Sequence, residues 1–168
     1  MNELFGLYLI LTDPISGYEK AADAAVNEGV RYIQLRMKNV TREKFIATAR
    51  TLRHITHGTS TRFIINDDLR IAMEADADGI HLGQTDIGLS EARKKWNIPG
   101  KLFGLSTHSM DQAFDSQELK PDYIGIGPVF PTPTKPDTAP ALGVAEVGRI
   151  AKQSPLTHVA IGGINDHN

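Results

Sequence analysis

The chain has 168 residues, 40% of them hydrophobic and 23% charged, the balance of one soluble globular domain able to bury a sizeable core. It has no cysteine, which excludes disulfides, thiolate nucleophiles and thiolate metal sites and leaves oxygen or imidazole ligands for any metal. A net charge of −2 argues against the broad basic face that nucleic acid requires, and with neither a long apolar run nor a charged-then-apolar leader the expectation is no membrane span, no secretion and a cytoplasmic location.

Short apolar runs read as strands. They begin at LYLILT (residues 7–12) and YIQLRM (32–37). Thr41 then caps a helix whose apolar stripe is Phe45, Ala49, Leu52 and Thr56. RFIIN (62–66) and DGIHL (78–82) follow as strands, with Asp67 or Asp68 as the cap of the helix between them. After LFGLS (102–106), Ser109 and Gln112 have the spacing of a capping box. DYIGIG (122–127) is the sixth strand, a helix with Val144, Val147, Ile150 and Ala151 follows Gly143, and HVAIGG (158–163) is the seventh strand. Strand and helix alternate throughout, which favours parallel strands joined by right-handed crossovers. Residues 1–168 contain no linker, so a single (β/α) domain is expected.

An open doubly wound sheet and a closed (β/α)8 barrel both satisfy this alternation. The strand ends separate them. Arg36 and Lys38, Asn66 and Asp67, Gln84 and Asp86, Ser106 to His108, Thr132 to Lys135, and Gly162 with Gly163 all follow strands. A doubly wound sheet binds ligands at one switch point served by few strands, whereas a barrel gathers every C-terminal strand end at one mouth. The TIM (β/α)8 barrel is therefore the expected fold.

In YIQLRMK, the period of two sets Gln34, Arg36 and Lys38 on one side of the strand and Ile33, Leu35 and Met37 on the other. Two strand-end cations beside an amide suit an anion, although solvated cations paired with neighbouring carboxylates satisfy the same pattern. Two adjacent aspartates exceed the need of one helix cap, and GQTD adds Asp86. Asp67 and Asp86 together suit Mg²⁺, which prefers oxygen ligands and is commonly held by one or two carboxylates plus substrate phosphates. Five of the nine prolines lie in GIGPVFPTPTKPDTAPALG (125–143), around Lys135. Proline fixes its own φ and pushes the preceding residue to extended geometry, so this long loop is expected to be stiff. It would hold Lys135 as a preorganised cation, with Thr132 and Thr134 as hydroxyl donors, for a departing diphosphate. The paired glycines of IGGIND allow backbone N–H groups to approach a phosphate. His81 reads as a packed interior residue and His108 as a hydrogen-bonding neighbour; neither has the paired nucleophile of a triad.

Taken together and in order, QLRMK, NDD, DGIHLGQTD, GLSTHS, GIGPVFPTPTK and AIGGI resemble the thiamine-phosphate synthase family over essentially the whole chain. The resemblance implies a TIM-barrel transferase that joins 4-amino-2-methyl-5-(diphosphooxymethyl)pyrimidine to 4-methyl-5-(2-phosphooxyethyl)thiazole, giving thiamine phosphate and diphosphate. The implied mechanism is dissociative: diphosphate departs first, and the thiazole nitrogen captures a pyrimidine-stabilised carbocation. By matching motif positions, Gln34, Arg36, Lys38, Asn66 and Lys135 contact the pyrimidine diphosphate, and Asp67 and Asp86 bind Mg²⁺. Ser106 lies near the diphosphate, while Thr132, Thr134 and Gly163 meet the thiazole phosphate. Of these, Arg36, Lys38, Ser106 and Lys135 carry the catalytic roles.

Measured against that family, the sequence ends just past the seventh strand, so a barrel truncated there, without the eighth strand and final helix, is expected. Open edges on the first and seventh strands would favour association with a second copy of the chain. Two other readings remain: a thiazole tautomerase-like barrel and a non-catalytic phosphate-binding remnant. The tautomerase needs no set of metal ligands and cations for a diphosphate, and the remnant rests on truncation alone.

Overall fold

The computed structural model describes residues 6–132, 140–165 and 167–168. Strand and helix alternate as expected. The chain falls into two compact units, Met1–His81 with Ala92–Leu102, and Leu82–Glu91 with Phe103–Asn168.

The first unit contains β1 (Tyr8–Leu11), α1 (Tyr18–Asn27), β2 (Tyr32–Leu35), α2 (Arg42–Thr56), β3 (Arg62–Asn66), α3 (Leu69–Glu74) and nearly all of β4 (Gly79–Leu82). All neighbouring strands are parallel and pair in chain order, with Tyr8 opposite Tyr32, Leu35 opposite Ile65, and Asn66 opposite His81. The Tyr8 and Tyr32 rings stack at 5.9 Å between centroids. Phe63, Ile64 and Ile65 are all fully buried, so β3 is covered on both faces, as strands of a parallel sheet flanked by helices are. Thr41 caps α2 by accepting a hydrogen bond from the Lys44 N–H at 3.3 Å. The inward stripe of α2 is Ile46, Ala49, Leu52 and Thr56, while Phe45 is only half-buried. Three of the four expected positions are thus buried, and Ile46 takes the place given to Phe45, because the residues three and four before Ala49 lie side by side on one helix face.

The second unit contains most of β5 (Leu102–Thr107), then α5 (Met110–Leu119), β6 (Tyr123–Ile126), α6 (Gly143–Gln153) and β7 (His158–Ala160). These strands too are parallel and in chain order, with Ser106 opposite Gly125 and Ile126 opposite Ala160. Ala113, Ile124, Ile126, Val129, Val147 and Ile150 form its buried core. Val144, expected on the inner stripe of α6, is instead 65% exposed. Helix α4 (Leu89–Lys95) is shared between the two units. Strand order that never reverses within either unit is the order of a (β/α) barrel, in contrast to the reversal that creates the switch point of a doubly wound sheet. Among the described residues no helix is long and apolar enough to cross a membrane.

Each unit repeats one clasp at the N-terminal ends of its strands. Asp78, just before β4, accepts from the Phe63 N–H at 2.8 Å, and its own N–H donates to the Phe63 carbonyl at 2.8 Å. Asp122, just before β6, does the same with Phe103 at 2.7 and 2.9 Å. In a barrel, conserved chemistry gathers at the opposite ends, and groups at this end serve stability.

Lys101 adds a second tie to the first unit, donating to Asp76 Oδ1 at 2.6 Å and the Ala77 carbonyl at 2.7 Å with its ammonium 5.1 Å from the Trp96 ring centre. The lysine hydrogen bond foremost, against a desolvation cost, holds the Asp76 carboxyl below the usual carboxylate range. A carboxyl depressed on folding stabilises above its unfolded pKa and loses that contribution as pH falls through its folded value. Lys101→Met is therefore expected to lower Tm at neutral pH and to flatten the fall in Tm below about pH 4, read by thermal melts across pH.

Candidate active site

Among the polar groups at the strand ends of the first unit, Gln34 is the most buried. It is 1% exposed and donates from Nε2 to the Tyr8 hydroxyl at 2.8 Å, a partner 26 residues away. Strand β2 stops at Leu35, two residues short of expectation, yet the Arg36 N–H still donates to the Leu11 carbonyl at 3.0 Å. The alternation therefore persists past the strand: Ile33, Leu35 and Met37 are buried, Arg36 is half-buried, and Lys38 is exposed. Lys38 Nζ lies 2.5 Å from Asp67 Oδ2, so this cation has the carboxylate partner that ordinary strand-end cations acquire.

That ion pair depends on how the chain divides the work of two adjacent aspartates. Asp68 caps α3, its Oδ1 accepting from the Ile71 N–H at 2.9 Å. Asp67 is thereby spared from capping and adopts the left-handed conformation, φ 64°, which aspartate tolerates better than most residues. Its N–H donates to the His81 carbonyl at 2.9 Å, and the Asp68 N–H returns to Asn66 at 2.8 Å. A strained backbone held by its neighbours at a strand end is a recurrent feature of functional sites. His81 itself is buried, as expected.

In the second unit, Gly83 to Asp86 form a turn closed by the Gly83 N–H on Asp86 Oδ2 at 2.7 Å. A Cβ at Gly83 would sit 3.1 Å from that oxygen, tighter than most real contacts. Gln84 Nε2 donates to the Ser106 carbonyl at 2.5 Å, fixing the turn to the end of β5, where the Ser106 side chain is half-buried. Ser109 caps α5 through the Gln112 N–H at 3.2 Å, and Gln112 Oε1 accepts from the His108 N–H at 2.8 Å, one residue before the position expected of a capping box.

The proline-rich loop is tied at its base. Val129 and Phe130 donate to the carbonyls of Ile161 and Gly162 at 2.9 and 3.0 Å, while Leu142 and Gly143 donate back to Pro128 and Val129 at 2.8 and 3.0 Å. Strand β7 ends at Ala160 instead of running to 163, because Gly162 and Gly163 turn with φ of 98° and 69°. A Cβ at Gly162 would meet the Pro128 side chain at 2.5 Å, and one at Gly163 would meet Phe130 at 2.8 Å. Close packing against the loop thus demands both glycines, in addition to any approach to phosphate. Thr132 is half-buried. Thr134 and Lys135 lie outside the described residues.

For Mg²⁺, the donors fit in kind: Asp67 and Asp86 offer hard carboxylate oxygens. Among the described residues no group of three or more histidines, aspartates and glutamates stands where it could hold a metal ion. Sequence reading missed Tyr8, and it named Gln84 at a strand end without its partner. Neither contact has a local signal, since strand register places Tyr8 beside Gln34, and turn geometry places Gln84 on Ser106.

Fold and strand-end groups together define a (β/α)-barrel enzyme. A family model for thiamine monophosphate synthase matches residues 7–168. Thiamine-phosphate synthase of Halalkalibacterium halodurans is 38% identical over 169 residues, covering 98% of this chain and 79% of that protein. The corresponding protein of Shouchella clausii is 35% identical with the same coverage of each chain. The solved thiamine phosphate pyrophosphorylase of Pyrococcus furiosus superposes with a TM-score of 0.84 at 30% identity, covering 98% of this chain and 78% of that one. An N-acetylmannosamine-6-phosphate 2-epimerase from Clostridium perfringens, at 12% identity and TM-score 0.65, is alike in fold alone. This chain belongs to the thiamine monophosphate synthase family.

The division of labour between the aspartates is open to a direct check. Asp68→Ala should lower stability by about 1 kcal/mol in urea unfolding, the usual cost of losing a cap, while Asp67→Asn, which keeps an αL-tolerant residue, should cost less.

Proposed function

We propose that this protein is a thiamine-phosphate synthase that condenses the pyrimidinylmethyl diphosphate with the thiazole phosphate, releasing diphosphate. The match to thiamine-phosphate synthases over 98% of the chain carries the reading. The polar groups at the strand ends support it, because they include the cations, amides, carboxylates and hydroxyls that bind and neutralise a diphosphate.

The chemistry balances without a nucleophile–base pair. The carbon–oxygen bond to diphosphate breaks with its electrons going to the leaving group, and the thiazole nitrogen lone pair then forms the carbon–nitrogen bond. The enzyme's task is to position two substrates and to stabilise charge on the departing oxygens. Arg36, Lys38 and Lys135 are assigned to that charge, with Ser106 as a hydroxyl donor. Lys38 is already held at 2.5 Å from Asp67, so binding requires this pair to share its charges with diphosphate and metal. Gln34, fixed by Tyr8, and Asn66 are assigned to the pyrimidine substrate. Thr132, Thr134 and the Gly163 backbone are assigned to the thiazole phosphate. Asp67 and Asp86 would hold Mg²⁺, which when bound neutralises the diphosphate. Phosphorylated small-molecule substrates support a cytoplasmic reaction.

Turnover of the two precursors with Mg²⁺, followed by chromatography of thiamine phosphate, tests the assignment. Asp86→Asn, which retains an oxygen for the Gly83 N–H, and Lys135→Ala should each lower kcat by roughly 10²- to 10³-fold with Tm little changed. Full turnover by both variants would remove the metal and leaving-group roles. Binding of thiamine phosphate by a chain that never turns over would instead identify a non-catalytic relative.

A further inference from the structure

The second unit holds an imidazole that the proposed reaction does not use. His108 follows β5 and is half-buried, its N–H on Gln112 Oε1 at 2.8 Å and its Nδ1 2.7 Å from the Gly127 carbonyl. A backbone carbonyl can only accept, so Nδ1 carries the proton in this contact.

Gly127 is where the elements of this unit converge. Its N–H donates to Thr107 at 3.1 Å, continuing the ladder between β5 and β6, and a Cβ there would lie 2.1 Å from the Ile161 carbonyl oxygen. Pro128 follows, and the Gly127 carbonyl finds its partner in the His108 side chain. The next residues, Val129 and Phe130, are those tied to Ile161 and Gly162. Losing the His108 donor would leave a carbonyl unpaired at the root of the loop that leads to Thr132 and packs on Gly163.

We propose that His108 is a positioning residue: its Nδ1–H pins the Gly127 carbonyl and so holds Thr132 and the Gly162–Gly163 turn in the arrangement that receives the thiazole phosphate. This rests on the function proposed above, in which bond breaking and bond making require no proton from an imidazole at this position.

Amide substitutions separate this role from the alternatives, because asparagine can place its Nδ2–H near the position of Nδ1, whereas glutamine reaches toward Nε2. His108→Asn should stay within about threefold of the unsubstituted enzyme in every constant, and His108→Gln should raise KM for the thiazole phosphate about tenfold with little change in KM for the pyrimidine diphosphate or in Tm. Gln equal to or better than Asn would overturn the proposal in favour of chemistry at Nε2. Equal losses in both variants accompanied by lower Tm, or failure of either to fold, would mark a merely structural residue and also overturn it. If the unsubstituted chain has no turnover, the function reading fails separately. Calorimetric binding of the thiazole phosphate must then give the same order, Asn above Gln, for the positioning role to stand.

Discussion

Parallel pairing in chain order is the constraint from which the rest follows. Because every strand in a unit runs the same way, the residues after each strand gather on one edge and those before each strand on the other. Crossover helices bury apolar residues against the sheet, so β4 and β6 are buried along their whole length and their ends remain for polar chemistry. The two edges then specialise. In the first unit Asp78 spends its carboxylate on a backbone N–H at one edge while Asn66 and Asp67 lie at the other, and in the second unit Asp122 does the same while Ser106 lies at the opposite end of its strand.

Aspartate illustrates how position in the fold decides the role of one residue type. Asp68 satisfies orphan donors of a helix start, and Asp78 and Asp122 lock neighbouring strands. Asp86 shapes its own turn. Asp67, next in sequence to a cap, takes a left-handed backbone and turns its carboxylate to Lys38. Burial alone would not distinguish these five; the hydrogen-bond partners do.

Glycine does the equivalent work in the second unit. Gly127, Gly162 and Gly163 allow the loop after β6 and the turn after β7 to approach within distances that any Cβ would forbid. The ladder through Val129 and Phe130 then makes the base of the proline-rich loop part of the framework. Loops positioned by a rigid scaffold are where enzymes place substrate contacts, and this one has its root set by backbone hydrogen bonds before any side chain is considered.

The sequence by itself determined the seven-strand alternation, the caps at Thr41 and Ser109, and the strand ends that carry polar groups, because these depend on short-range periodicity and on capping chemistry within a few residues. It left open which of Asp67 and Asp68 was the cap, and it put Phe45 where Ile46 lies on the inner stripe of α2 and Val144 inside. Only the tertiary structure decided those points, along with the pairing of Gln34 with Tyr8 and of His108 with Gly127. The reason is physical: such contacts join residues about twenty or more apart through strand register and loop packing, and no local pattern records a register.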